Sequence, residues 1–262
     1  MGRDVLTGKS LNSPNGKTIY RPVSYRRGTM QGVTELPAPE TKAAVVEEMF
    51  DRLAPRYERM NHLLTLGMDN RWRRTALDLA RVAAGDRVLD LACGTGDFAR
   101  LAASRGAAAT GLDFSAQMVA EARARDSGAY VRGDALALPF ADGYFDAIVS
   151  GFAVRNFTGL EAVFGECARV LKPGGRLAIL EIDTPRSLPL RLGHSLYFAR
   201  LMPVIGGLMS GDRDAYRYLS RSGAYLPDAS GFARLFHGAG FDNVWRRPLM
   251  GGAIQVLVGQ RR

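Results

Sequence analysis

The sequence predicts an α/β protein built on a doubly wound, mostly parallel sheet of seven strands. From residue 87 onward, short apolar runs alternate with stretches of helical periodicity, and the first run leads through a glycine turn into a helix. A chain of 262 residues with 47% hydrophobic content is long enough to bury one full core in a single domain.

Residues 1–40 are rich in Gly, Pro, Ser, Thr and Asn, with isolated apolar residues and no sustained period, and are expected to be a disordered extension to a domain spanning 41–262. From Thr41, the spacing of Val45, Val46, Met49, Phe50 and Leu53 makes one apolar helical stripe that ends before Pro55. Further helices are expected over 57–64 and 70–82. Strands are then expected at 87–91, 107–112, 129–131, 145–150 and 176–182, separated by helices near 97–105, 115–125 and 159–171. The stretch 187–208 is apolar with Arg191 and Arg200 set into it, a helix is expected over 228–239, and strands at 243–247 and 253–258 complete the sheet.

Composition narrows the function. Cys93 and Cys167 form no C-x-x-C pair, and His62, His194 and His237 have no metal-ligand spacing, so no metal site is expected. The net charge of +9 suits nucleic acid or an anionic membrane. Residues 1–29, however, hold six basic side chains against Asp4 alone, and the rest carries 29 basic and 25 acidic residues. No apolar run reaches 18 residues and no secretory signal is evident, which predicts a cytoplasmic location.

The loop Asp90-Leu91-Ala92-Cys93-Gly94-Thr95-Gly96-Asp97 places glycines where a ligand can approach the backbone, since no Cβ stands in the way. Gly94 to Ala99 also satisfies the G-x-G-x-x-G/A dinucleotide pattern, and Asp113, at the end of the next strand, is placed to accept hydrogen bonds from a ribose diol. A nicotinamide enzyme and a nucleoside-sulfonium enzyme both contain that ribose, so both stay open on the loop alone. Farther on, Gly133-Asp134-Ala135 follows the third strand, Leu138-Pro139-Phe140 makes a turn, and Arg169-Val170-Leu171-Lys172-Pro173-Gly174-Gly175 ends a helix at a Pro-Gly-Gly turn.

In this order these segments resemble the Rossmann-like class I methyltransferases. Three more resemble the C-methyltransferases of menaquinone and ubiquinone biosynthesis: Tyr57-Glu58-Arg59-Met60-Asn61 followed by Trp72, Ala153-Val154-Arg155-Asn156, and Asp214-Ala215-Tyr216-Arg217-Tyr218-Leu219. A terminal Gly251-Gly252 with Gly259 is similar too, and the resemblance covers about 43–262. It departs from the family pattern at Glu58, where Asp is usual, at Asp69, where His is frequent, and at Gly151, where Ser is common.

The resemblance implies S-adenosyl-L-methionine as cofactor, touched by Thr95, Asp113, Asp134 and Ala135 with Gly94 and Gly96 shaping the loop. Asp90 is expected to orient that loop or to meet the methionine ammonium. It also implies a polyprenyl quinol substrate, demethylmenaquinol first, and hence peripheral association with the inner face of the cytoplasmic membrane, through the apolar 187–208 stretch unless that stretch is a lid packed on the domain.

Methylation of a ring carbon needs an ionised neighbouring hydroxyl, and a phenol-like pKa of about 10 makes that anion cost roughly 4 kcal/mol at pH 7. Arg155 is expected to favour the anion unless it pairs with Glu161 or Asp183, with Asn156 holding the oxygen, and Tyr57 and Tyr218 walling the ring or packing in the core. Other small-molecule substrates, a binding role and a homo-oligomer remain open. A nucleic-acid substrate is not expected, because Ser150-Gly151-Phe152-Ala153 lacks the Asp/Asn-Pro-Pro-aromatic set and no basic run is interleaved with stacking aromatics.

Overall fold

The computed structural model describes residues 37–185, 187–196 and 212–262. Three helices come first: α1 (Pro39–Leu53), α2 (Tyr57–Leu64) and α3 (Asp69–Leu79). The α1 helix begins two residues before the expected Thr41, because Pro39 sits in its first turn, where the missing N–H has no partner to lose. A 3₁₀ turn over Ala54–Arg56 separates α1 from α2 at Pro55.

The sheet follows as β1 (Arg87–Leu91), α4 (Asp97–Ala103), β2 (Ala108–Asp113), α5 (Ala116–Arg125), β3 (Ala129–Arg132), β4 (Phe145–Gly151), α6 (Leu160–Val170) and β5 (Leu171–Ile182). Beyond it lie α7 (Leu188–Leu196), α8 (Arg213–Arg221), α9 (Ala229–Gly238), β6 (Phe241–Leu249) and β7 (Ile254–Arg261). The strand order is β3-β2-β1-β4-β5-β7-β6, with β7 antiparallel to β5 and the first five strands parallel. The order reverses between β1 and β4, the point where doubly wound sheets open a crevice at the carboxyl ends of their strands.

Both faces are covered. Leu89, Ile148, Leu177 and Ile179 pack with Phe164, Phe232 and Phe236 of α6 and α9, while Val88, Ala147, Val149, Ala178 and Leu180 pack with Trp72, Leu77 and Phe98 of α3 and α4. The Pro173-Gly174-Gly175 segment is not a free turn as expected: β5 already pairs with β4 at Leu171↔Phe145 and resumes at Arg176↔Ala147. The extra residues form a bulge that Gly174 permits by its φ of +79°.

The expected disordered stretch 1–40 lies outside the described residues except for 37–40. Of the apolar 187–208 stretch, 188–196 is helical and 197–208 lies outside the described residues. Among the described residues no helix is long and apolar enough to cross a membrane, and no group of three or more His, Cys, Asp or Glu could hold a metal ion.

Candidate active site

A cleft opens at the carboxyl edge of β1, β2 and β4. Gly94, Asp113, Met118, Asp134, Ala135 and Leu136 line one end, and Val46, Phe50, Tyr57, Phe152, Asn156 and Phe157 the other.

At the first end the backbone does the shaping. Asp113 Oδ2 accepts the N–H of Gly94 at 2.7 Å and Oδ1 accepts that of Ser115 at 2.9 Å, so one carboxylate joins the glycine turn to the start of α5. Burial pushes its pKa up to about 6, against the pull of the Ser115, Gly94 and Phe114 amides. Ser115 caps α5 through Met118 N–H and donates its own hydroxyl to Asp51 of α1 at 2.5 Å.

Gly96 has φ +91°, and a Cβ there would stand 2.5 Å from the Tyr130 hydroxyl; only glycine fits. Gly94, at φ +54°, lies under Tyr57, whose Cε1 would be 3.7 Å from an added Cβ. The Thr95 hydroxyl is buried without a hydrogen-bond partner.

Asp90 is 1% exposed and does not line the cleft. Its Oδ2 accepts the N–H of Ala99 at 2.9 Å, and burial pushes its pKa up to about 7. That contact is with the first turns of α4, the helix that follows the loop. Asp134 Oδ1 accepts Leu136 N–H, which folds the 134–137 turn so that Asp134 and Ala135 line the cleft.

The other end is built from side chains. Tyr218 of α8 donates its hydroxyl to Asn156 Oδ1 at 3.1 Å, bringing two of the expected residues together. Tyr57 packs edge-on against Phe50, its ring centroid 5.8 Å away. Burial raises the pKa of Tyr57, partly opposed by its hydrogen bond with Asn61 and the charges of Arg155 and Arg73.

Arg155 corrects an expectation. It is neither a surface arginine paired with Glu161 or Asp183 nor a free guanidinium in the cleft: it is 8% exposed and donates through Nη1 to Glu181 Oε1. Asp183 pairs instead with Arg246 at 2.7 Å. The buried position required a counter-charge, and Glu181, an acid inside an apolar strand, supplies it.

A second ionic group lies beneath the glycine turn, and the sequence reading missed it. Arg73 bridges Asp69 and Asp97, Arg100 bonds Asp97 and the carbonyl of Thr95 at 2.7 Å, and Glu58 meets Arg100 and Arg125. Its signal was the i,i+4 pair Asp69/Arg73 and the i,i+3 pair Asp97/Arg100. Two departures from the family pattern, Glu58 and Asp69, belong to this network, and neither lines the cleft. The third, Gly151, does line it, and a Cβ there would stand 2.8 Å from the Phe98 ring, so a serine needs Phe98 to move.

Fold and cleft together define a class I methyltransferase. The chain belongs to the ubiE/COQ5 methyltransferase family, whose model matches residues 38–261. It is 42% identical over 234 residues to the demethylmenaquinone methyltransferase of Roseiflexus sp. (strain RS-1), covering 87% of this chain and 98% of that protein. It is 46% identical over 220 residues to that of Thermus thermophilus, covering 81% and 100%. The ubiquinone/menaquinone biosynthesis C-methyltransferase UbiE of Geobacter sulfurreducens is 39% identical over 246 residues, covering 90% and 93%. Among solved structures, a SAM dependent methyltransferase from Aquifex aeolicus superposes with a TM-score of 0.53 at 15% identity, covering 72% of this chain and 89% of that one, a likeness of fold. S-adenosyl-L-methionine is the cofactor of this class, so the dinucleotide alternative left by the glycine turn is closed.

The residues present fit that cofactor. Gly94, Asp113, Asp134 and Ala135 line the cleft, with Asp113 offering a carboxylate to a diol, while Thr95, whose buried hydroxyl has no partner, and Gly96, which packs on Tyr130, lie behind the lining.

Proposed function

We propose that this enzyme methylates a ring carbon of a demethylated polyprenyl quinol, demethylmenaquinol first, at a membrane surface. The relatives named for demethylmenaquinone and for ubiquinone/menaquinone biosynthesis motivate the substrate. The observation that carries the reading is the cleft lining, where apolar Val46, Phe50, Phe152 and Phe157 accompany few polar side chains, Asn156 among them, as a flat ring with a polar edge requires.

Asp113 holds the ribose hydroxyls of the cofactor, Asp134 and Ala135 meet its base, and Gly94, Thr95 and Gly96 let its amino-acid portion lie against the backbone, with Asp90 fixing the loop from below. When bound there, S-adenosyl-L-methionine supplies an electrophilic methyl group. Tyr57 covers the glycine turn and walls the ring. Asn156, its carbonyl oxygen occupied by Tyr218, turns its NH₂ toward the quinol oxygen. Arg155 lends positive charge from beneath, reduced by its partner Glu181.

The prenyl tail stays in the bilayer, since each buried methylene is worth about 0.8 kcal/mol, so the enzyme goes to its substrate. Leu188, Leu190, Leu192 and Leu196 of α7 are each more than half exposed, with Arg191 exposed among them, a surface suited to apolar insertion beside anionic headgroups.

The test is turnover of a short-tailed demethylnaphthoquinol and a demethylbenzoquinol by the full chain in detergent, with calorimetry of S-adenosyl-homocysteine alongside. Micromolar binding of the homocysteine compound with turnover of the naphthoquinol is the expected result; binding without turnover of either quinol overturns the substrate. Sedimentation with anionic vesicles tests the membrane, and Leu188→Asp with Leu192→Asp is expected to abolish it while leaving turnover of the short-tailed quinol intact.

A further inference from the structure

The corner between α2 and α3 presents a leucine to solvent on a backbone made for glycine. Helix α2 closes with the N–H of Gly67 on the carbonyl of His62 at 2.7 Å and that of Leu66 on the carbonyl of Leu63 at 3.1 Å. In this paired closure the left-handed position usually falls to glycine. Leu66 holds it instead, at φ +52°, and is 81% exposed. Its Cβ works against the backbone, and its side chain buries little in return. Met250 repeats the pattern at the turn between β6 and β7, with φ +50° and an exposed side chain. Among the described residues these two alone combine a left-handed backbone with a large, exposed apolar side chain.

Both tips stand at the edge where the cleft opens. Helix α3 runs against the strands. Trp72, near its start, meets Phe152 just past the end of β4, with ring centroids 6.4 Å apart. At its other end the carbonyl of Leu79 accepts Arg176 Nη1–H at 3.1 Å, and Arg176 pairs with Ala147 near the start of β4. The corner that precedes α3 is therefore at the carboxyl edge of the sheet. Strand β7 is antiparallel to both β5 and β6, so β6 also ends at that edge, and Met250 follows it. A Cβ on the next residue, Gly251, would stand 2.6 Å from Leu190 Cδ1, so Met250 adjoins the exposed leucines of α7.

The charges on this edge select the partner. Between Ala54 and Leu77 the two acids are engaged, Glu58 by Arg100 and Arg125 and Asp69 by Arg73, while Arg59, Arg71 and Arg74 are exposed. Arg247 is exposed three residues before Met250. Apolar tips among arginines fit a bilayer with anionic headgroups, the tips entering the acyl region and the guanidinium groups meeting phosphates. A second copy of the chain would set the same cations against each other.

We propose that the Leu66 corner and the Met250 turn are two membrane-inserting tips that seat the carboxyl edge, and with it the mouth of the cleft, on an anionic bilayer. This rests on the membrane reading above and extends it from α7 alone to three separate contacts, which set how the cleft faces its substrate.

The experiment is co-sedimentation of the full chain with vesicles of phosphatidylglycerol and phosphatidylcholine, and with vesicles of phosphatidylcholine alone. Wild type is compared with Leu66→Gly, Met250→Gly and the double variant, and thermal unfolding of each is recorded. Glycine suits both left-handed backbones, so these variants remove the tip without straining the fold. Affinity for the anionic vesicles is expected to fall by about tenfold for each tip, the scale of one large apolar side chain left in water. The Tm of Leu66→Gly is expected to stay level or rise, and turnover of the short-tailed quinol in detergent to stay unchanged. Arg59→Gln/Arg71→Gln/Arg74→Gln is expected to lose about 100-fold on the anionic vesicles and little on phosphatidylcholine.

A Leu66→Gly variant that binds anionic vesicles as tightly as wild type overturns the proposal. So does one that melts earlier than wild type, because the leucine is then held by the chain itself. Dimerisation of the wild-type chain that the double glycine variant loses would give the tips to a second copy and overturn it as well. Binding lost in the α7 variant and intact in the glycine variants fails this proposal and leaves the membrane reading standing. A wild-type chain that does not sediment with vesicles fails that reading itself, a result visible before any variant is made.

Discussion

The two ends of the cleft are made of different materials. At the cofactor end the main chain does the work: a glycine turn, the amides of Gly94 and Ser115 on Asp113, and a turn closed on Asp134. At the substrate end side chains from distant segments converge, with Tyr57 from α2, Asn156 and Arg155 from the 3₁₀ turn Val154–Asn156, Glu181 from β5 and Tyr218 from α8. Backbone contacts are locked by local φ/ψ choices, and they tolerate most changes except at the glycines. A converging cluster depends on partners far apart in sequence, so removing one member exposes the rest.

The largest effect that separates the two ends is expected at Arg155. Arg155→Met leaves Glu181 as an unpaired buried carboxylate, which costs about 3–5 kcal/mol of folding stability. Urea unfolding is expected to show that loss, and the double variant Arg155→Met/Glu181→Leu to recover most of it while turnover stays absent. A double variant as unstable as the single would mean that the pair holds the fold through packing and not through charge.

The matching change at the cofactor end is Gly96→Ala. The left-handed backbone and the Tyr130 hydroxyl both oppose the methyl group, a strain of about 1–3 kcal/mol. Because the strain falls on the loop, affinity for S-adenosyl-homocysteine is expected to drop by about 5- to 150-fold, by the conversion of about 1.4 kcal/mol per tenfold. Calorimetry that finds affinity unchanged would show that the loop relaxes freely, contrary to a backbone-built site.

Legibility in the sequence follows the same division. The cofactor end was readable because its residues are contiguous: strand, glycine turn, acidic strand end and the Gly133-Asp134-Ala135 segment each announce themselves within a few positions. The strand Arg87–Leu91 coincides with its expected bounds for that reason. Pro173-Gly174-Gly175 read as a turn and is a bulge, since local composition does not reveal that Leu171 already pairs with Phe145. At the substrate end Tyr57, Asn156 and Arg155 were found by resemblance, but the partner of Arg155 was misassigned. Its signal was present in Ala178-Ile179-Leu180-Glu181-Ile182, one acid in an apolar run, and only the folded chain brings that acid to Arg155. The ionic group below the glycine turn was missed likewise, because periodicity within a helix marks Asp69/Arg73 as a surface pair until Asp97 arrives from another element.

A pH series sharpens the contrast further. Asp113 has a folded pKa of about 6, raised from an ordinary 3.8 mainly by burial. Between those values the folded chain keeps a proton that the unfolded chain has lost, so this group's contribution to stability is full below about pH 4 and is lost as pH rises through about 6. Ligand binding runs the opposite way, since a diol donates to the ionised carboxylate. Affinity for S-adenosyl-homocysteine is therefore expected to fall by up to about tenfold per unit below pH 6, and to lose that dependence in Asp113→Asn. Calorimetry from pH 5 to 8 that finds a flat profile in the wild-type protein would remove Asp113 from the ribose.

The smallest expected effect concerns orientation alone. Tyr218→Phe removes one neutral hydrogen bond to Asn156 and leaves the ring packed among Met49, Leu53 and Met60. A bond of this kind contributes about 0.5–1.5 kcal/mol, so kcat/KM for the quinol is expected to fall by about 2- to 12-fold. Cofactor-product affinity should not change, because Asn156 belongs to the other end of the cleft. If Asn156 works only when its amide is held, Asn156→Ala and the double variant with Tyr218→Phe will lose the same activity, for once the amide is gone nothing remains for the phenol to orient. Additive losses would instead give Tyr218 its own contact with the ring.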